Sequence, residues 1–168
     1  MRNYYCELNW PILNNSEYLI NRINEFPDYL SRQVNGEQMS YTENNIYANL
    51  INWPTRHADV SNIIKELPVS PEMINYTTIQ RISPPTLPMH IDKNRAVSAM
   101  CILQGSAWTV FQEEGQLLHR TMFEKNKWYL FNNKILHGVK GLKSLRISLC
   151  LDFTNFYSYK EALNEFCT

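Results

Sequence analysis

From residue 73 onward the chain alternates short runs of β-branched, aromatic and aliphatic residues with tight polar breaks. Met73 to Ser83 is rich in Ile, Tyr and Thr and stops at Pro84-Pro85, a composition that reads as a strand and its end. A short stretch, Pro88-Met89-His90-Ile91-Asp92, follows. Next come Arg95 to Leu103, a turn at Gln104-Gly105, Ala107 to Gln112, a turn at Glu113-Glu114-Gly115, and Leu117 to Phe123. Lys127 to Phe131, Ile135 to Val139 and Ser144 to Phe153 complete the series. About eight strands with short connections predict a sandwich or barrel rather than a parallel α/β sheet. The eight-stranded jelly roll fits this pattern best.

Ahead of these strands the pattern is helical and irregular. Ser16-Glu17 before Tyr18, Leu19, Ile20 and Ile23 offers an N-cap and an amphipathic helix, which Pro27 interrupts. Asn35-Gly36 signals a turn, and residues 38–52 stay open between helix and strand. Trp53-Pro54-Thr55-Arg56-His57 reads as a loop. Asp59 is expected to cap a short helix through Ile63, Ile64 and Leu67 that Pro68 and Pro71 close. A last helix is expected from about Asn155 to Phe166. The whole reads as one domain over 1–168: a helical and irregular N-terminal cover (1–72), a jelly-roll core (73–153) and a C-terminal helix (154–168), with the helices against one outer sheet.

Composition narrows the picture. A chain of 168 residues that is 44% hydrophobic and 12% aromatic can build a real core, which argues against disorder. Sixteen basic and sixteen acidic residues cancel, so no overall field collects nucleic acid or an anionic membrane, although a local basic groove stays open. The first residues lack the apolar stretch of a signal peptide, and no run approaches the roughly 18 apolar residues of a membrane span. A soluble, cytoplasmic protein is expected. Cys6, Cys101, Cys150 and Cys167 are scattered without a Cys-x-x-Cys pair, so reduced, packed thiols are expected rather than a zinc or thioredoxin-like motif.

Five polar positions stand out along the strand series. If the Pro88–Asp92 stretch is extended, His90 and Asp92 share a face with Ile91 turned away. Two imidazoles and a carboxylate make the 2-His-1-carboxylate set that holds Fe(II) at three adjacent positions. The third ligand must come from elsewhere in the chain, and His137 in Ile135-Leu136-His137-Gly138-Val139 is the candidate. On the last strand Arg146 and Ser148 share one face. Each has a plainer alternative: a solvated His–Asp pair, a histidine at a glycine turn, a structural salt bridge for Arg146. An Arg inside an apolar strand nonetheless needs a carboxylate partner, and a bound diacid would supply one.

The order His90-x-Asp92, His137, Arg146-x-Ser148, on the second, seventh and eighth strands of a double-stranded β-helix, resembles the Fe(II)- and 2-oxoglutarate-dependent dioxygenases. Arg81-Ile82-Ser83-Pro84-Pro85-Thr86-Leu87-Pro88-Met89-His90-Ile91-Asp92 is similar to the strand, proline turn and ligand segment of the aspartyl/asparaginyl β-hydroxylase-like branch, which includes hydroxylases of free amino acids such as proline. The resemblance covers about residues 73–153. It implies Fe(II) on His90, Asp92 and His137, with 2-oxoglutarate chelating the metal and O2 as co-reactant. The far carboxylate of 2-oxoglutarate would be held by the bidentate fork of Arg146, with Ser148 adding a hydrogen bond. The implied reaction is hydroxylation of an amino acid or a peptidyl side chain, coupled to decarboxylation of 2-oxoglutarate to succinate and CO2.

Arg95, three residues after Asp92, is similar to the Arg of a His-x-Asp-x-x-Arg pattern and could meet a carboxylate of substrate or cosubstrate. Tyr76 and Gln80 share one face of the first strand and Arg81 takes the other. Trp108 could wall the site or pack in the core, and the Trp53–His57 loop is a candidate lid. His119 is expected to face solvent. Two alternatives stay open: a nucleobase or other small-metabolite oxygenase on the same site, and a non-catalytic cupin-like module that binds a metal or organic acid. Retention of Asp92 disfavours a radical halogenase, where a small residue replaces the carboxylate. The partners expected are a small-molecule or peptidyl substrate, with the protein a monomer or a homodimer.

Overall fold

Two antiparallel sheets face each other across an internal cavity, and helices cover the outer side of the larger one. The computed structural model describes residues 4–25, 48–52, 58–82, 87–92, 95–113, 118–153, 156 and 158–167. In chain order the elements are β1 (Tyr5–Glu7), α1 (Ser16–Glu25), β2 (Ala48–Asn52), α2 (Ala58–Glu66), a 3-10 turn (Pro71–Met73), β3 (Ile74–Ile82), β4 (Leu87–His90), β5 (Val97–Gln104), β6 (Trp108–Gln112), β7 (His119–Thr121), β8 (Trp128–Asn132), β9 (Leu136–Lys140), β10 (Arg146–Phe153) and α3 (Tyr159–Phe166). The larger sheet runs β1-β8-β5-β10-β3-β2 and the smaller β4-β9-β6-β7. The strands β3 to β10 form the expected eight-stranded jelly roll, split four and four between the sheets.

The N-terminal segment is not simply a cover. β1 pairs with β8 and β2 with β3, so two short strands extend the larger sheet at both edges. A second correction concerns Asp59. It lies inside the first turn of α2 rather than capping it, and there it accepts hydrogen bonds from Tyr18 Oη at 3.0 Å and Arg22 Nε at 3.4 Å, tying α1 to α2. α3 starts at a capping box, with Ser158 Oγ accepting from Glu161 N and the Glu161 carboxylate accepting from Ser158 N. No helix among the described residues is long and apolar enough to cross a membrane.

Strand parity separates two cores. Ile147, Leu149, Leu151 and Phe153 of β10 join Val97, Ala99, Cys101 and Leu103 of β5 in one cluster with Leu19 and Ile23 of α1, Ile63 and Ile64 of α2 and Leu163 of α3. The other parity faces inward, where Met100, Ile102, Phe131 and Cys150 pack with Phe111 from the smaller sheet. Burial of one such aliphatic side chain is worth about 1.5 to 3 kcal/mol, so the helix layer clamps the sheet firmly from outside. The four cysteines are free, with Cys101 and Cys150 buried. Burial pushes the Cys150 thiol up to about 12, so it stays protonated.

Gly105 explains the sharpness of the turn between β5 and β6. Its φ is +78°, in the left-handed region, and a Cβ there would lie 2.7 Å from Leu145 O and 2.9 Å from Arg146 Cα. Only glycine fits both demands. The close approach matters because β10 begins at Arg146.

Candidate metal centre

β4 and β9 pair so that His90 stands directly opposite His137, with ring centroids 4.5 Å apart. Asp92 follows β4 by two residues, and its Oδ1 lies 3.6 Å from His90 Nε2. One ligand atom from each of His90, Asp92 and His137 falls within 4.8 Å of the other two. Metal bonds of about 2.1 Å at right angles place ligand atoms about 3 Å apart, so a small inward movement closes this set on an ion. His137 Nδ1 sits 2.7 Å from Ile135 O, which fixes the tautomer with Nδ1–H donating and Nε2 left as the metal donor. Burial and the neighbouring His90 pull the His137 imidazole down to about 4, so it is neutral and ready to bind at physiological pH. The donor types, spacing and protonation fit a divalent first-row metal.

The second oxygen of Asp92 is fully engaged. Arg95 Nε donates to Asp92 Oδ2 at 2.6 Å, and Arg95 Nη1 reaches Asp152 Oδ1 at 3.2 Å. Of the two orientations of the Asn133 amide, one satisfies both its ends: Nδ2 donates to Asp92 Oδ2 at 3.1 Å while the oxygen accepts from Ser98 Oγ at 3.1 Å and Ser98 N at 3.2 Å. Backbone contacts hold the same segment, from Asp92 N to Asn133 O at 3.1 Å and from Lys134 Nζ to Asp92 O at 2.9 Å. Burial alone would lower the Arg95 guanidinium, but Asp152 and Asp92 together raise it. Asp152, only 5% exposed, is raised by burial against the opposing pull of Arg95.

Arg146 occupies the far side of this cavity and is 3% exposed. Its Nη1 donates to Thr109 Oγ1 at 3.2 Å, and Nη2 lies 4.0 Å from Met100 Sδ. Among the described residues no carboxylate pairs with it, and burial pulls it down to about 10, still charged at neutral pH. Ser148, fully buried, donates to Gln80 Oε1 at 3.3 Å. The cavity is lined by His90, His137 and Arg95 at one end and by Arg146, Thr109 and Gln80 at the other. It is narrow, about 30 Å³, and Met100 is among the side chains that border it.

His90, Asp92, His137 and Arg95 are thus brought together, and Arg146 shares their cavity. Ser148 turns the same way as Arg146 but is spent on Gln80. Arg95 was a candidate for a substrate or cosubstrate carboxylate; its hydrogen bonds go to Asp92 and Asp152. Trp108 neither walls the site nor packs in the core: it is 43% exposed, beside Gly141. His119 does not face solvent freely, since it stacks on Tyr4 at 5.1 Å with its Nε2 buried. The Asn35-Gly36 turn, the Trp53–His57 loop and the Pro84-Pro85 turn lie outside the described residues. Sequence reasoning missed Asp152, Asn133, Ser98 and Thr109. Asp152 carried a usable signal, because 146, 148, 150 and 152 share one strand face.

At the level of sequence, no family model and no curated protein matches the chain. The fold does have relatives. A prolyl-4-hydroxylase from Pseudomonas putida superposes with a TM-score of 0.61 at 13% identity, covering 92% of this chain and 94% of that one. OsALKBH1 does so with a TM-score of 0.61 at 11% identity, covering 90% and 99%. An oxidoreductase of the 2OG-Fe(II) oxygenase family from Burkholderia pseudomallei gives 0.51 at 14% identity, covering 84% and 81%. At such identities the likeness establishes a shared fold.

Proposed function

We propose that this chain is an Fe(II)- and 2-oxoglutarate-dependent oxygenase that hydroxylates an amino acid or a peptidyl side chain. The observation that carries this reading is Arg146: a buried guanidinium with no carboxylate among the described residues, in the same cavity as a metal-ligand triad. A buried charge without a partner costs several kcal/mol, and a dicarboxylate bridging metal and guanidinium repays that cost. A cupin-like binder of metal alone would leave the charge unexplained. Support for the reaction class comes from fold relatives that include a prolyl-4-hydroxylase and a 2OG-Fe(II) oxygenase family member. Zero formal charge favours a small or peptidyl substrate over a polyanion.

His90, Asp92 through Oδ1 and His137 through Nε2 would hold the iron, which with 2-oxoglutarate and O2 supplies the oxidising power for C–H hydroxylation as the cosubstrate becomes succinate and CO2. The protein's own part is positional. Neutral His137 binds without first losing a proton. Arg146 fixes the far carboxylate with two parallel donors, which orients the chelating end toward the triad. Thr109 Oγ1 holds one guanidinium nitrogen in place. Phe111, Phe131 and Val139 line or back this end of the barrel with apolar surface, which keeps water from the reacting centre.

Anaerobic titration of the purified protein with Fe(II) and 2-oxoglutarate tests the proposal through the weak visible charge-transfer band of the chelate. The band should appear with the parent, vanish with His137→Ala and move to higher 2-oxoglutarate concentration with Arg146→Ala. No band, together with no iron uptake, refutes it.

A further inference from the structure

The two oxygens of Asp92 are treated differently by the fold. Oδ1 faces His90 at 3.6 Å. Oδ2 receives Arg95 Nε at 2.6 Å and, in the satisfied orientation of its amide, Asn133 Nδ2 at 3.1 Å. Neither donor is loosely held. Arg95 is braced from behind by Asp152, whose two oxygens lie 3.2 and 3.4 Å from Nη1, and Asp152 sits on the central strand β10, between β3 and β5. Asn133 is braced by Ser98 Oγ and the Ser98 backbone N–H on β5.

We infer that the Arg95–Asp152 pair and Asn133 are a positioning device that occupies Asp92 Oδ2, so that Asp92 can offer a metal only Oδ1. The inference rests on the metal site proposed above and adds what sets its denticity. A free carboxylate beside a metal ion readily swings to bind through both oxygens, and that would consume one of the positions a facial triad leaves open. A chelating 2-oxo acid takes two of those positions and O2 the last, so a bidentate Asp92 would block the reaction. Two strong donors on Oδ2 prevent the swing, because bidentate binding would strip a charge-assisted hydrogen bond from a buried guanidinium. The pairing also explains why a buried carboxylate stands at 152. Without it Arg95 would turn its whole charge on the ligand and weaken Asp92 as a donor.

Mn(II) serves as the probe, because the number of waters it carries can be counted by water-proton relaxivity. An octahedral ion on a monodentate triad keeps about three waters. The triple variant Arg95→Met/Asp152→Leu/Asn133→Ala removes both donors to Oδ2 without leaving Asp152 as a lone buried charge; Arg95→Gln/Asp152→Asn/Asn133→Ala replaces it where the apolar set does not fold, with circular dichroism as the check. The parent should carry about three waters and the variant about two, with 2-oxoglutarate affinity on the metal-loaded protein falling by about 10- to 100-fold. A purely structural role for the pair would alter melting temperature and leave the water count alone. A folded variant that retains the parent's water count overturns the inference whatever happens to its stability. A parent protein that takes up no Mn(II) is a different result, and it removes the metal site itself.

Discussion

Replacing Arg146 by methionine should move stability and ligand binding in opposite directions. In the absence of ligand the guanidinium is 3% exposed and, among the described residues, its partners are Thr109 Oγ1 and the Met100 thioether. Exchanging buried ionic groups for apolar ones of similar volume often stabilises by about 1 to 4 kcal/mol. Loss of the bond to Thr109 returns about 1 kcal/mol of that. Ligand-free Arg146→Met is therefore expected to be as stable as the parent or up to about 3 kcal/mol more stable. Binding should suffer by much more. Two charge-assisted hydrogen bonds to a carboxylate, at about 1.5 to 3 kcal/mol each, amount to about 10² to 10⁴ in 2-oxoglutarate affinity. Urea unfolding at pH 7 measures both, run with Mn(II) present and with or without 2-oxoglutarate at about 100 times the parent's Kd. The parent should gain about 2.7 kcal/mol from the ligand and the variant almost nothing. A variant less stable than the parent without ligand, yet gaining as much from 2-oxoglutarate, would show that Arg146 is a structural residue and refute the reasoning.

Three further outcomes are expected. The metal-free protein should lose stability as pH falls from about 6.5 toward 4: the folded His137 value is lowered to about 4, so the unfolded chain takes up the proton first. The slope from this residue is at most about 1.4 kcal/mol per pH unit, and unfolding midpoints of parent and His137→Gln across that window should diverge accordingly. Gly105→Ala forces a Cβ onto the Arg146 backbone at a left-handed position that costs about 1 to 2 kcal/mol by itself. It should weaken 2-oxoglutarate binding more than Mn(II) binding in parallel titrations, and equal losses would count against the link between that turn and Arg146. Ser158→Ala removes the capping box of α3 and should cost about 1 kcal/mol in urea unfolding while leaving Mn(II) affinity unchanged.

The core strands and the His90–Asp92 pair were legible because both rest on local rules. Alternation placed His90 beside Asp92, and the strand series placed His137 and Arg146 where a jelly roll closes. Asp152 was overlooked although its parity matched Arg146, since a lone acid near the end of an apolar run reads as a frayed edge until burial is known. Asn133 and Ser98 carried no signal at all: the contact of a turn residue with β5 exists only in three dimensions. Arg95 could be placed near carboxylates from its spacing, but which carboxylates depended on Asp152 lying across the sheet. β1, a strand of 3 residues, escaped notice, and β2 settles as strand the end of the 38–52 stretch that the sequence left open between helix and strand. Asp59 and His119 were judged from their neighbours in sequence, and their partners, Tyr18 and Tyr4, come from elsewhere in the chain.

The two-sided burial of β10 also bears on how the chain folds. Every residue from Arg146 to Phe153 is buried, with aliphatic side chains toward the helices and Arg146, Ser148, Cys150 and Asp152 toward the cavity. Slippage by one residue against β3 and β5 would exchange the two sets, driving a guanidinium and a carboxylate into the aliphatic layer beneath α1 and α2. Such a state forfeits several kcal/mol per ion and cannot compete with the correct pairing. Polar groups that cost stability in the finished fold therefore make misaligned intermediates short-lived, and exchanging them all for aliphatic residues would leave β10 free to pair in either register.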